Sequence, residues 1–246
     1  MRVKSVLSKL LGLRSSAVVV CGWELVEDAD GGRPKLVVKV RRRARQRGRC
    51  GRCGAVAPWF DNGGGERRWR HLDVGFATCE LVADAPRVSC PTCGVTVAEV
   101  SFARHDSAFT RAFEDVVVFD AICSSKLAAA RRHGVSWRAV DHLCIRVARE
   151  ALGRVDLLEG LVAIAIDEVK YKKGQRYLTV VCDHLSGKVI WAAKGRRKDT
   201  VSAFFDALGD ERAEKLQLSP ATVRSGSAPW WPSGRRAPRS VWTRSI

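Results

Sequence analysis

Two Cys-x-x-Cys pairs, Cys50-Gly-Arg-Cys53 and Cys90-Pro-Thr-Cys93, limit what this chain can fold into more than any other feature. Two intervening residues let both thiolates of a pair point the same way, so each pair can grip one side of a metal ion. Together they can build the closed four-thiolate cage of structural zinc. Gly54 and Gly94 follow the second cysteine of each pair and permit the tight turn of a knuckle. The alternative is a pair of disulfides. No secretory signal precedes the pairs, and the spacing favours metal. Cys79, His71 and His105 could substitute as ligands, but four cysteines suffice, and buried or surface roles are the simpler expectation for them. Cys21, Cys79, Cys123, Cys144 and Cys182 sit in apolar surroundings and are expected as buried free thiols.

Charge narrows the partner. The chain carries a formal +17 over 246 residues, more than solubility requires, and the excess is clustered. Lys39 to Arg52 holds Arg41, Arg42, Arg43, Arg45, Arg47 and Arg49 and no acid. Lys170, Lys172, Lys173 and Arg176 form a second cluster, and Lys194, Arg196, Arg197 and Lys198 a third. Such runs beside a zinc knuckle point to nucleic acid. No segment approaches the ~20 apolar residues of a membrane span. The expectation is a soluble intracellular protein with no membrane partner.

Periodicity then divides the chain. Apolar runs at 17–26 and 35–40 flank Asp28-Ala-Asp-Gly-Gly32 and predict a β-hairpin, which with the basic arm makes a first segment, 1–45. A zinc module follows over 46–104, with short strands at Trp69–Asp73 and Phe76–Ala83. Helical spacing takes over from Phe109 to Leu152. Phe109, Phe113, Val116, Val117 and Ile122 predict the inner face of a first helix, and Ser124–His133 a second. Gly134-Val-Ser136 makes a turn, with Ala130 and Gly134 small where helices would touch. Ser136 caps a third helix whose inner face is Val140, Leu143, Cys144 and Val147. This is the helix-turn-helix arrangement, assigned to 105–153. Trp137, Arg138, Asp141, His142 and Arg146 are expected on the outer face of its recognition helix.

After Gly153, Leu161-Val-Ala-Ile-Ala-Ile166 reads as a central strand buried on both faces and ending at Asp167-Glu168. Strands at Tyr177–Cys182 and Lys188–Ala193, a helix at Asp199–Leu208 and a strand starting at Lys215–Leu218 complete the opening of a ribonuclease-H-like fold over 154–218. Asp167 is the chemically interesting acid, because a carboxylate at the end of an apolar strand needs a metal or a hydrogen-bond partner. Two-metal phosphoryl transfer needs more than one such acid. Glu168 points to the opposite sheet face, and Asp183 is a turn former. The fold class is therefore multidomain α+β: a zinc-ribbon-like module, a helix-turn-helix, then the first part of a ribonuclease-H-like α/β fold.

As an ordered set, several motifs resemble the ISL3 type of insertion-sequence transposase. They are Cys50-x-x-Cys53, Trp69-Arg-His-Leu-Asp73, Pro86-Arg-Val-x-Cys90-x-x-Cys93, Phe109-Thr-Arg-x-Phe113, Val135-Ser-Trp-Arg138, Ile166-Asp-Glu168, Gly174-x-Arg-Tyr-Leu-Thr-Val-Val181 and Phe204-Phe-Asp-Ala-Leu208. The resemblance runs from about residue 5 to 218. It implies a DDE catalytic core in which Asp167 matches the first acid, magnesium-dependent strand cleavage and joining, and double-stranded DNA at the element's terminal inverted repeats as the partner. It implies a cytoplasmic, nucleoid-associated bacterial protein, and a homodimer is allowed.

The tail departs from the pattern. Residues 219–246 contain no Asp, Glu, Lys or Leu, yet hold four of eight Pro and three of eight Trp. Trp has a single codon, so Trp242-Thr243 must encode Asp when read one base earlier, and Trp230-Trp231-Pro232 must encode Val-Ala. With suitable codons, Ala221 to Ser227 can spell Asp-Gly-Ala-Glu-Trp-Ile in that frame. The expectation is a disordered, out-of-frame tail and a truncated, catalytically inactive transposase. The competing expectations are the short product of a frameshifted active gene and a non-catalytic zinc/helix-turn-helix regulator.

Overall fold

In the computed structural model, residues 3–13, 18–43, 46–174 and 176–216 are described. The chain divides into two units between Arg149 and Glu150, within the last turn of a long helix.

The first unit begins with helix α1 (Val3–Leu10) and the expected hairpin, β1 (Val18–Val26) antiparallel to β2 (Lys35–Arg42). The hairpin does not stand alone. The free edge of β2 pairs in parallel with β5 (Ala77–Asp84), and β5 pairs antiparallel with β4 (Glu66–Val74). The resulting sheet has the order β1-β2-β5-β4, so the segments 1–45 and 46–104 share one sheet. They also share one core: Leu36, Val38 and Val40 of β2 pack with Trp69, Cys79 and Leu81, and Leu7 and Leu11 cover them. Trp69 meets Phe102 edge-on at 5.2 Å between ring centroids. A smaller sheet in the order β3-β6-β7 joins β3 (Trp59–Asp61), β6 (Arg87–Cys90) and β7 (Gly94–Val97).

Three helices follow. Helix α2 (Arg111–Cys123) starts at Thr110, whose hydroxyl accepts from the Phe113 N–H; α3 (Lys126–His133) starts at Ser125, whose hydroxyl accepts from Ala128. Gly134 ends α3 in the left-handed region at φ 63°, where its N–H reaches the Ala130 carbonyl. Ser136 accepts from the Ala139 N–H and opens α4 (Trp137–Leu152). Phe113, Val117, Ala129, Ala130, Val140 and Leu143 make the core. Two residues expected on the inner face of α2 are outside: Val116 is exposed, and Ile122 is 77% exposed. Their places are taken by Val118 and the fully buried carboxylate of Glu114, a residue type that hydrophobic periodicity assigns to the surface.

The second unit is an antiparallel meander with the order β10-β9-β8: β8 (Ile164–Lys172), β9 (Arg176–Asp183) and β10 (Val189–Lys194). Helix α5 (Lys198–Leu208) packs on it through Phe204, Phe205 and Leu208 against Ile164, Val181 and Ile190. The expectation of a strand buried on both faces is corrected. Only Ile164 of β8 is buried, and Asp167 is the fourth of nine residues rather than the end. The strand expected from Lys215 is also corrected: Lys215 closes a short helix α6 (Asp210–Glu214), and Leu216 is buried in the core. Gln217, Leu218 and the tail 219–246 lie outside the described residues. Two thiols expected to be buried, Cys21 and Cys123, are exposed.

The two faces of α2 make separate predictions. Phe113→Ala should cost roughly 3–5 kcal/mol in denaturant unfolding, whereas Ile122→Ala should stay within about 0.5 kcal/mol.

Candidate metal centre and nucleic-acid interface

The knuckles come together as their spacing implies. The four sulfurs of Cys50, Cys53, Cys90 and Cys93 lie within 4.8 Å of one another, with Cys53 Sγ and Cys90 Sγ 3.6 Å apart. None is in a disulfide. Zn–S bonds of about 2.3 Å in a tetrahedron place sulfurs roughly 3.8 Å apart, so the donor set and spacing fit zinc. Each knuckle turns at its glycine, Gly54 at φ 73° and Gly94 at φ 72°. A Cβ at either would meet nothing within 4 Å, so the requirement is conformational rather than one of space. The first knuckle is closed by Cys50 N–H to Ala55 O and Gly54 N–H to Cys50 O, at 2.8 and 2.9 Å.

The thiols do not titrate alike. Burial pushes Cys50 up, but the backbone N–H groups of Cys53 and Arg52 outweigh it and hold Cys50 at about 7. Cys93 is pushed up to about 12, first by its hydrogen bond with Cys53 and then by burial. Crowded thiolates repel, and a dication removes that conflict. The other sulfur and imidazole candidates stand apart. Among the described residues, the four cysteines are the one group of three or more side chains placed to share a metal. Cys79 lies in the sheet core, where burial raises it to about 12. His71 is buried and shares a 2.8 Å hydrogen bond with the Thr110 hydroxyl, and burial followed by the charge of Arg70 lowers it to about 4. His105 packs beside the first knuckle, its Nε2 3.4 Å from Arg52 Nε.

The helix-turn-helix presents part of the expected face. Trp137, Arg138 and His142 are exposed on α4. Arg146 is corrected. It turns inward, its guanidinium 3.0 Å from the buried Glu114 carboxylate. The same carboxylate accepts from Arg104 at 2.8 Å and from the Ser107 hydroxyl. Asp141 is corrected too, since it binds the ammonium of Lys126 on α3. Arg149 joins the face without having been expected there. It is exposed, and the spacing of Arg138, His142, Ile145 and Arg149 follows one helical stripe, a signal available in the sequence.

On the basic arm, Arg41, Arg42, Arg43 and Arg47 are exposed, while Arg45 lies outside the described residues. The Arg42 guanidinium lies over the Trp59 ring at 3.9 Å. Asp167 is exposed in mid-strand, and its Oδ1 accepts from the Glu168 N–H at 2.8 Å. Among the described residues Asp167 belongs to no group of three or more side chains placed to share a metal. Asp183 forms its turn as expected, accepting from Leu185 and Ser186 N–H groups.

Metal analysis of the purified chain should return about one zinc per molecule, and chelation or Cys50→Ser should loosen the β3-β6-β7 sheet, read as faster amide exchange there. The Glu114 cluster separates two roles on one helix. Arg146→Ala should cost roughly 1.5–3 kcal/mol by removing a charged hydrogen bond to a buried acid, while Arg138→Ala should leave stability within about 0.5 kcal/mol.

Comparison with known proteins agrees in chain order. Residues 46–93 match the zinc-finger of transposase IS204/IS1001/IS1096/IS1165. Residues 98–148 match the helix-turn-helix domain of transposase family ISL3, and residues 164–218 a family described as transposase. The chain is 43% identical over 221 residues to the transposase for insertion sequence element IS1557 of Mycobacterium tuberculosis, in two strains, an alignment covering 90% of this chain and 49% of that protein. It is 32% identical over 94 residues to the transposase for IS1001 of Bordetella parapertussis, covering 38% of this chain and 23% of that protein. The chain thus spans about half the length, or less, of the curated relatives it matches. No solved structure matches. With zinc finger, helix-turn-helix and transposase segments in order, the chain belongs to the ISL3 family of insertion-sequence transposases.

Proposed function

We propose that this chain is the DNA-recognising part of an insertion-sequence transposase and that by itself it does not cut or join DNA. The observation that carries the binding half is the exposed stripe of α4, Arg138 and His142 beside Trp137, on a helix seated by capped neighbours. That stripe enters the major groove at the element's terminal repeats, with Arg149 extending it. Arg41, Arg42, Arg43 and Arg47 neutralise phosphates, and Arg45 is assigned with them from the sequence. One structural zinc on Cys50, Cys53, Cys90 and Cys93 holds the module that carries this arm.

Asp167 is assigned as the first metal-binding acid of a DDE core with a ribonuclease-H-like fold. The antiparallel meander followed by α5 supports that reading. A two-metal site needs acids from further elements, and Asp167 alone cannot hold two magnesium ions in working geometry. Residues 219–246 are read as an out-of-frame rendering of the next core segment, on their codon constraints and their lack of any acid. The gene's nucleotide sequence tests this directly: an intact frame one base away, encoding an Asp-Gly-Ala-Glu-Trp-like stretch, is expected after the codon for Leu218.

Binding is tested by anisotropy with labelled element-end duplex. The affinity should fall steeply between about 50 and 200 mM salt. Charge reversal at Arg41–Arg43 should weaken binding to all sequences alike, whereas Arg138→Ala should relax sequence preference by roughly 1–3 kcal/mol at one position. Binding no tighter than to a neutral control at low salt would sink the reading, and magnesium-dependent cleavage lost on Asp167→Ala would overturn the claimed inactivity.

A further inference from the structure

Two basic clusters far apart in sequence meet at one end of the second unit's sheet. Lys170, Lys172, Lys173 and Arg176 surround the β8–β9 turn, and Lys194, Arg196, Arg197 and Lys198 lead from β10 into α5. Tyr177 joins them: it lies opposite Lys170 in the β8–β9 ladder, and its carbonyl accepts from the Gly195 N–H at 2.9 Å. The Arg196 guanidinium lies over the Tyr177 ring at 4.5 Å. The turn is fixed from beneath, because the buried Thr179 hydroxyl donates to the Gly195 carbonyl at 2.9 Å. Gly195 sits at φ 125°, and a Cβ there would come within 2.5 Å of Thr200 Oγ1. A cavity of about 470 Å³ opens here, lined by Tyr177, Lys194, Arg196, Arg197, Asp199 and Thr200.

All eight cations are exposed. Among the described residues none of them forms an ion pair within the chain, and Asp199 is the one acid lining the cavity. Cations held together without acid partners repel one another, and a polyanion with closely spaced charges relieves that repulsion. Arg196, held over the Tyr177 ring and exposed, can donate from its guanidinium to phosphate oxygens. Lys170 is three residues from Asp167 in a regular stretch of strand, so the two side chains leave opposite faces of the sheet. Lys170, and Tyr177 opposite it, therefore face away from the acid assigned to catalysis.

We propose that this end of the sheet is a second duplex-DNA surface, gripping backbone phosphates without reading bases. The proposal rests on the DNA-binding function proposed above. The test uses the full chain. Lysines are acetylated with and without a duplex of about 30 base pairs at about 50 mM salt and scored by mass spectrometry, with exposed Lys188 at the opposite end of the sheet as control. Lys170, Lys172, Lys173 and Lys194 should be protected roughly fivefold or more while Lys188 stays reactive. In parallel, the folded variant K170Q/K172Q/R196Q/R197Q should lower the slope of log K against log salt by about 2–3.5, since each phosphate no longer neutralised removes roughly 0.9, and should do so equally for all sequences.

If the duplex binds yet these lysines react like Lys188, or the slope is unchanged, the proposal falls and DNA recognition by α4 stands. If the wild-type chain binds no duplex, both fall. Equal protection by polyglutamate at matched charge would assign the surface to an acidic protein partner and overturn the proposal.

Discussion

The first unit turns on one buried carboxylate. Glu114 has no exposed surface, and it binds Arg104 from the segment leaving the zinc module, the Ser107 hydroxyl, and Arg146 from α4. Burying a carboxylate is costly unless it is paired and hydrogen-bonded, and here three donors converge on it. The consequence is directional. Only one placement of α4 brings Arg146 to Glu114 while Val140 and Leu143 enter the core. Thr110, which caps α2, also bonds His71 on β4, and the backbone of Arg70 pairs with Ala108 and Thr110 on both sides. The exposed stripe of α4 is thus aimed by polar contacts rooted in the sheet.

What is legible in the sequence is local chemistry. Cys-x-x-Cys knuckles, glycines at left-handed turns, and Ser or Gly at helix ends all act within a few residues, so spacing alone exposes them. The α2 face misleads because its pattern is broken at Glu114, where a paired acid replaces an apolar residue. Arg146 misleads for the same reason: a charge looks like surface until its partner, 32 residues away, is known. The partnership of β2 with β5 is not legible, since parallel pairing across some forty residues leaves no local signature. In the second unit, the apolar run before Asp167 suggests a strand covered on both faces. Among the described residues β8 pairs on one edge only, so most of it remains open.

The two units treat positive charge differently. In the first, many arginines are committed: Arg33 and Arg70 to Asp73, Arg87 to Asp61, Arg68 to Glu80. These pairs sit on or near strands and contribute mainly to register, since exposed pairs are individually worth little. In the second, Arg154, Arg212 and Lys215 are paired with acids outside the sheet, while eight further cations gather at strand ends, where turns project them into solvent. Charge paired within a sheet and charge left exposed at a turn thus occupy different positions along the strands.

The parallel pairing of β2 with β5 also sets an order on the ribosome. The β1–β2 hairpin is complete by Arg42, but its neighbour emerges only with Ala77–Asp84, after the first cysteine knuckle has been made. Until then β2 offers an unpaired edge, the kind of template on which nascent chains stick to one another. Lys35 and Lys39 stand at the two ends of that edge and Arg41 and Arg42 follow it, and such charges discourage edge-to-edge contact between identical chains during the interval.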